Sequence, residues 1–192
     1  PEESDNITAG LAWNTHFGLT ATLDIYQIDV TNRLSTSSTF VVTDAERAEF
    51  AALSVAGAES ITRVNFFQND FDTRTKGLDL VMAYNFAFGP GEVNLTGAYN
   101  YNKTEVTGGD FAANTTSADR FEKGIPENTA NLQANYTLGK WDMFGRMRYY
   151  GEWRDYSGNS TGDIFQDFGA MVLFDLGATY QVNDNLSVRV GA

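Results

Sequence analysis

The stretch Trp141-Asp142-Met143-Phe144-Gly145-Arg146-Met147-Arg148-Tyr149-Tyr150-Gly151-Glu152-Trp153-Arg154-Asp155-Tyr156 decides how the chain is read. Its odd positions carry Trp141, Met143, Gly145, Met147, Tyr149, Gly151 and Trp153. Its even positions carry Asp142, Phe144, Arg146, Arg148, Tyr150, Glu152 and Arg154. Successive side chains of an extended strand point to opposite faces. This stretch therefore predicts one long strand, apolar on one face with a Trp near each end and charged on the other.

The same period of two recurs outward in both directions. Val93, Leu95, Gly97, Tyr99 and Tyr101 alternate with Glu92, Asn94, Thr96, Ala98, Asn100 and Asn102. Ala130, Leu132, Ala134, Tyr136 and Leu138 alternate with Asn131, Gln133, Asn135 and Thr137. Leu78 to Phe86 and Phe174 to Tyr180 repeat the pattern, Ile7 to Trp13 open the chain and Leu186 to Val190 close it. Between Leu19 and Val30 the apolar set changes parity after Ile25, which predicts a bulge there. Eight strands result, over about 5–14, 19–33, 73–88, 92–106, 127–138, 141–156, 168–182 and 186–192.

Two kinds of connection alternate strictly. Thr15-His16-Phe17-Gly18, Phe88-Gly89-Pro90-Gly91, Leu138-Gly139-Lys140 and Val182-Asn183-Asp184-Asn185 carry the Gly, Pro or Asn of tight turns. The intervening connections are long, about 34–72, 107–126 and 157–167. In the first, Thr43-Asp44-Ala45-Glu46 fits a capping box, with Phe50 and Leu53 as apolar contacts and Gly57 as the stop. Short turns at one end and long loops at the other match the periplasmic and extracellular ends of an outer-membrane barrel.

Composition narrows the setting. The chain has 192 residues, no Cys, a single His and a net charge of −12. Disulfides and Cys-ligated metals are excluded, His16 alone supports neither a metal site nor a Ser-His relay, and an acidic chain is unsuited to nucleic acid. No run of about twenty apolar residues is present to make a transmembrane helix.

Alternation alone fits either a soluble sandwich, apolar face inward, or a membrane barrel, apolar face to lipid. Strand length favours the barrel, since sandwich strands are usually about five or six residues long. Trp141 and Trp153 lie twelve residues apart on one face. On a strand tilted about 45° they would stand about 28 Å apart along the membrane normal, near the ~25 Å band between aromatic girdles. The fold expected is all-β, an antiparallel up-and-down transmembrane β-barrel segment. Trp141, Trp153 and Tyr149 are its expected lipid-interface aromatics.

Ordered motifs make the reading more specific. Leu19 to Leu34 resembles a strand leading into a long outer loop of TonB-dependent outer-membrane receptors. Asn69-Asp70-Phe71-Asp72-Thr73-Arg74-Thr75-Lys76-Gly77-Leu78-Asp79 is similar to that family's N-x-x-x-T-R-x-x-G-(L/I/V)-(D/E) return strand. Pro1-Glu2-Glu3-Ser4-Asp5-Asn6 resembles its P-E-x-S-x-N opening, and Asn185 to Ala192 its penultimate strand. The resemblance covers nearly the whole chain, in the family's order. It implies roughly the fourteenth to twenty-first strands of a 22-stranded barrel, with the TonB box, plug domain and closing strand belonging to other parts of a parent protein.

What the resemblance implies about function is energised uptake of a scarce nutrient, an iron–siderophore complex, cobalamin or a carbohydrate. The partners would be outer-membrane lipid, the parent's plug and remaining strands, TonB through the N-terminal part, and the nutrient. The competing expectation is a structural or binding β-protein, a small outer-membrane barrel or a secreted adhesive domain, without transport.

No catalytic constellation, cofactor site or metal site is expected, and the chain does not read as an enzyme. Arg146, Arg148 and Arg154 on the polar face, with Phe66, Phe67 and Tyr156 in the loops, are the candidate ligand contacts, because guanidinium binds carboxylates bidentately. The plainer reading pairs these arginines with Asp and Glu on neighbouring strands or the plug. Asp110, Asp119, Glu122, Asp163 and Asp167 span two loops where a cation site would draw its oxygen ligands, against the plainer reading of solvated acids. Asn94, Asn114 and Asn159 begin Asn-x-Thr or Asn-x-Ser triplets, which an Asn- and Thr-rich sequence produces by chance.

Overall fold

A computed structural model describes residues 1–37, 39–109, 115–157 and 164–192. Its main element is one antiparallel sheet of eight strands. These are β1 (Glu3–Asn14), β2 (Leu19–Thr36), β5 (Phe67–Phe88), β6 (Gly91–Gly108), β7 (Asn128–Leu138), β8 (Trp141–Tyr150), β11 (Met171–Asn183) and β12 (Leu186–Gly191), paired in that order. Two small ribbons stand at the long-loop end, β3 (Phe40–Val41) with β4 (Arg63–Val64) and β9 (Trp153–Tyr156) with β10 (Phe165–Phe168). Helix α1 (Asp44–Ala52) and helix α2 (Thr115–Lys123) complete the loops.

The short turns fix register. Phe88 pairs with Gly91 and Leu138 with Trp141, leaving two-residue loops. Gly89 has φ 58°, and the Pro90 ring holds φ near −65°. That pair of signs is a type II′ turn, whose twist matches the flanking strands.

Because pairing is continuous across these turns, one face of every strand lines up. On the first face lie Ile7, Leu11, Leu23, Leu80, Leu95, Leu132, Met147, Phe174 and Val188. On the second lie Thr8, Asp24, Asp79, Asn94, Gln133, Arg146, Asp175 and Arg189. Among the described residues no second layer covers the apolar face: Ile7 is 73% exposed and Phe174 70%, and the buried hydrophobic residues are Val42, Ala58 and Phe71 alone. Burying a Leu or Phe side chain is worth about 1.5–3 kcal/mol, so a sheet with this face in water would lack its main source of stability. Lipid supplies the missing apolar medium.

Several local expectations are corrected. Leu19 to Val30 pairs with β5 without interruption, so Tyr26, Ile28 and Val30 stay on the polar face and no bulge follows Ile25. The register shift falls instead between Val30 and Arg33, where Asn32 takes φ 54° and its N–H donates to Asp72 Oδ1 at 2.9 Å. Asn tolerates that left-handed backbone better than most residues. The strand expected unbroken from 141 to 156 is interrupted at Gly151–Glu152, although β9 and β10 keep the phase of β8 and β11. Helix α1 has its capping box, Thr43 N–H donating to Glu46 Oε2 at 2.7 Å and Glu46 N–H to Thr43 Oγ1 at 3.3 Å. It ends at Ala52, however, with Leu53 as its C-cap, and Gly57 opens a following 3₁₀ turn. Leu53 is 75% exposed, and Val42 and Ala58 make the small core of that loop.

Candidate functional site

The polar face is a lattice of side-chain hydrogen bonds that follows the strand register. Asn94 Nδ2 donates to Asn85 Oδ1 (2.6 Å), Asn135 Nδ2 to Asn94 Oδ1 (3.3 Å) and Gln133 Nε2 to Asn135 Oδ1 (2.9 Å). Asn100 Nδ2 reaches Asp79 Oδ1 at 2.6 Å. Asn94 is therefore engaged inside the sheet.

Charge concentrates on β8, β11 and β12. Arg146 Nε donates to Asp175 Oδ2 at 3.0 Å, while Arg148 Nε and Nη2 meet Oδ2 and Oδ1 at 3.1 and 3.0 Å. Two guanidinium groups share one carboxylate, so the trio keeps a net positive charge. Arg189 stands over the Phe144 ring at 5.8 Å, and that ring lies across Gly177.

A second cluster sits at the long-loop end. Arg154 grips Asp167 with Nε (2.6 Å) and Nη2 (3.1 Å) and reaches Asp119 on α2 through Nη1 (3.0 Å). Tyr156 Oη and Lys123 Nζ also bind Asp119. Partial burial alone would raise the Asp119 carboxyl, but hydrogen bonds from Lys123, Tyr156 and Arg154 hold it at about 2. Arg154 likewise lowers Asp167, and Asp167 with Tyr156 pushes Arg154 up. On its other flank α2 is anchored by Phe121, edge-on to Phe71 at 5.4 Å, by Arg33 over Phe121 at 5.2 Å, and by Glu122, which accepts the Val106 N–H at 2.7 Å.

The arginines named from sequence thus fall into two groups, Arg146 with Arg148 on the sheet and Arg154 with Tyr156 on β9. Each meets carboxylates of the chain. Phe66 and Phe67 belong to a third place: Phe66 stacks on Phe40 at 5.9 Å, and Phe67 opens β5 opposite Thr36. Trp141, Tyr149 and Trp153 share the outward face of the β8–β9 arm. Trp141 packs on Tyr180 (4.7 Å) and Trp153 stacks on Phe168 (4.8 Å). At the strand break a cleft of about 540 Å³ is lined by Ile125, Tyr149, Gly151, Trp153, Arg154 and Phe168.

Asp119, Glu122 and Asp167 do not converge on a common cation site: Glu122 accepts the Val106 N–H, whereas Asp119 and Asp167 share Arg154, with the Asp167 side chain still 63% exposed. Asp110 and Asp163, like Asn114 and Asn159, lie outside the described residues. Among the described residues no three His, Cys, Asp or Glu side chains converge as a metal site. Sequence reasoning missed α2 and Arg189. For α2 a signal was available, because Asp119 and Lys123 are spaced i,i+4 as a helical ion pair.

The sequence model of the family described as TonB dependent receptor-like, beta-barrel matches residues 1–192. Among solved structures, the chain is similar to the pyoverdine outer membrane receptor FpvA from Pseudomonas aeruginosa bound to pyoverdine (TM-score 0.65, 19% identity, 100% of this chain and 25% of that one). It is similar to the ferric-catecholate import receptor Fiu from E. coli (0.65, 18%, 100% and 23%) and to the copper transporter OprC (0.60, 21%, 100% and 25%). It therefore spans about a quarter of the length of each. No curated protein matches its sequence.

Proposed function

The chain belongs to the TonB-dependent receptor-like β-barrel family, and from that membership we propose that it serves, within its parent protein, the energised uptake of a scarce nutrient. Its sheet sits in the outer membrane, as in the receptors and transporters it resembles. The observation that carries the proposal is the two-faced single layer. An apolar face without protein cover meets lipid, while an amide-rich face carrying charges of both signs lines a wet interior through which a polar solute passes.

A ferric chelate is the favoured nutrient class, ahead of cobalamin or a carbohydrate. Arg154 and Tyr156 beside exposed aromatics suit an oxygen-rich anionic chelate, whose carboxylate or phenolate oxygens a guanidinium can meet bidentately. The resembled proteins named for pyoverdine and ferric catecholate point the same way. In this reading Arg146, Arg148, Arg154, Phe66, Phe67 and Tyr156 contact the ligand along its route. Trp141, Tyr149 and Trp153 hold the membrane interface, and TonB and a plug act through the rest of the parent. A freestanding eight-stranded barrel would pair β1 with β12, and these two strands are the open edges of the sheet.

Uptake of radiolabelled ferric chelates by cells with and without the parent gene tests the proposal. Uptake that needs the gene and stops when the proton gradient is collapsed is expected. Unchanged uptake of ferric chelates, cobalamin and oligosaccharides in the deletion strain would reject transport.

A further inference from the structure

The cluster at the long-loop end holds a carboxylate as a binding site holds an anion, and the carboxylate is the chain's own. Asp119 receives Lys123 Nζ, Tyr156 Oη and Arg154 Nη1, donors from two separate elements, and its side chain is only 17% exposed. Arg120 adds a third cation, lying over the Tyr156 ring at 5.5 Å. Three cations thus face two carboxylates, Asp119 and Asp167. Without Asp119 the cluster would keep three donors and a net charge of two. Charge-assisted donors left in that state bind oxyanions strongly.

Asp119 is not the only tie between the elements it touches. Helix α2 stays fastened through Phe121 and Glu122, and Arg120 Nη2 also donates to the Ser157 carbonyl at 3.3 Å. The β9–β10 ribbon keeps its own pairing, the Trp153–Phe168 stack and both Arg154–Asp167 bonds. The Asp119 side chain can therefore rotate away while both elements remain in place.

We propose that Lys123, Arg154 and Tyr156 form a binding site for an oxyanion group of an incoming ligand, a carboxylate or a phosphate, and that Asp119 fills it in the empty receptor as an internal competitor. The proposal rests on the reading of Arg154 and Tyr156 as ligand contacts. A tethered competitor has an effective concentration on the order of millimolar. Small monoanions at lower concentration are thus turned away, and a ligand presenting several anionic groups displaces Asp119.

The test is calorimetric titration of the full-length receptor in detergent with citrate and, separately, pyrophosphate. Asp119→Asn is expected to bind at least one of them about tenfold more tightly than the wild type, and adding Arg154→Gln should erase the gain. Preference for citrate or pyrophosphate tells a carboxylate site from a phosphate site. Amide exchange in β9–β10 should be unchanged in Asp119→Asn. No gain, a gain that survives Arg154→Gln, or loss of protection in β9–β10 would each overturn the proposal, the last by making Asp119 a structural strut. Nutrient uptake by Arg154→Gln separates the two readings. Lost uptake without an affinity gain in Asp119→Asn leaves the ligand-contact reading standing and removes this one, whereas undiminished uptake removes both.

Discussion

Tyr26 and Phe144 each lie across a glycine of the neighbouring strand, Gly77 and Gly177, on the polar face. The rings cover backbone that would otherwise be bare, and Tyr26 Oη also accepts Asn102 Nδ2 at 3.0 Å. A Cβ at Gly77 would collide with the Tyr26 ring, whereas one at Gly97 would meet Leu132 Cδ1 at 3.6 Å, an ordinary contact. Gly77→Ala should therefore destabilise the folded receptor by about 1–3 kcal/mol through overpacking. Gly97→Ala should be neutral or gain up to about 1 kcal/mol by restricting the unfolded chain. Urea unfolding in detergent compares the two. Asp119 offers a pH test at the same scale. Its carboxyl is lowered from 3.8 to about 2, so the stabilisation it gives α2 is complete above pH about 4 and lost as pH falls through about 2. Amide exchange of α2, corrected for the intrinsic pH dependence, should accelerate across that window. Asp119→Asn should show a modestly faster exchange at neutral pH, limited because Phe121 and Glu122 still anchor α2, and no further acid step.

Along a strand the two faces have opposite tolerances. Leu176 pairs with Gly145 midway along β8 on the outward face, and Thr22 pairs with Ala12 and Val81 on the inward face near Asp24 and Asp79. Arg at the bilayer midplane costs about 2–4 kcal/mol on a lipid-facing position. Leu176→Arg should lose stability in that range when folding into lipid vesicles is titrated with urea. Thr22→Arg, facing water and two carboxylates, should lose much less. Equal losses would mean that the two faces meet the same medium. The break at Gly151–Glu152 shows a different control over an element. The odd–even pattern continues through it, so pattern alone predicts one strand, yet Gly151 N–H bonds the Asn128 carbonyl at 2.7 Å and the ribbon beyond leaves the main sheet.

At the scale of the molecule, the sheet has two open edges, β1 and β12, each a row of unpaired N–H and C=O groups. Such groups are costly inside a bilayer and template pairing with other chains. These 192 residues expressed alone in detergent should associate in a concentration-dependent way, seen by sedimentation velocity. Supplying the remaining barrel strands of the parent in the same chain should give a monodisperse species. A stable monomer of the isolated segment at all concentrations would contradict the open-edged sheet.

The strands, their two faces and their short turns were legible in the sequence because each depends on local chemistry: the period of two, Gly and Pro at turns, and a capping box at Thr43. The motif around Asn69 to Asp79 added the family. Strand length and the spacing of Trp141 and Trp153 already favoured lipid beyond the apolar face, but the lack of protein cover there and the partners of the charges depend on distant residues, so only the tertiary structure decided them. Asp175 lies 27 residues beyond Arg148, and Asp119 lies 35 before Arg154. No local pattern specifies that these groups meet. The structure named the carboxylates that pair with the arginines, as the plainer reading of the sequence held, and placed Asp119, which sequence treated as one loop acid among several, among Lys123, Arg154 and Tyr156.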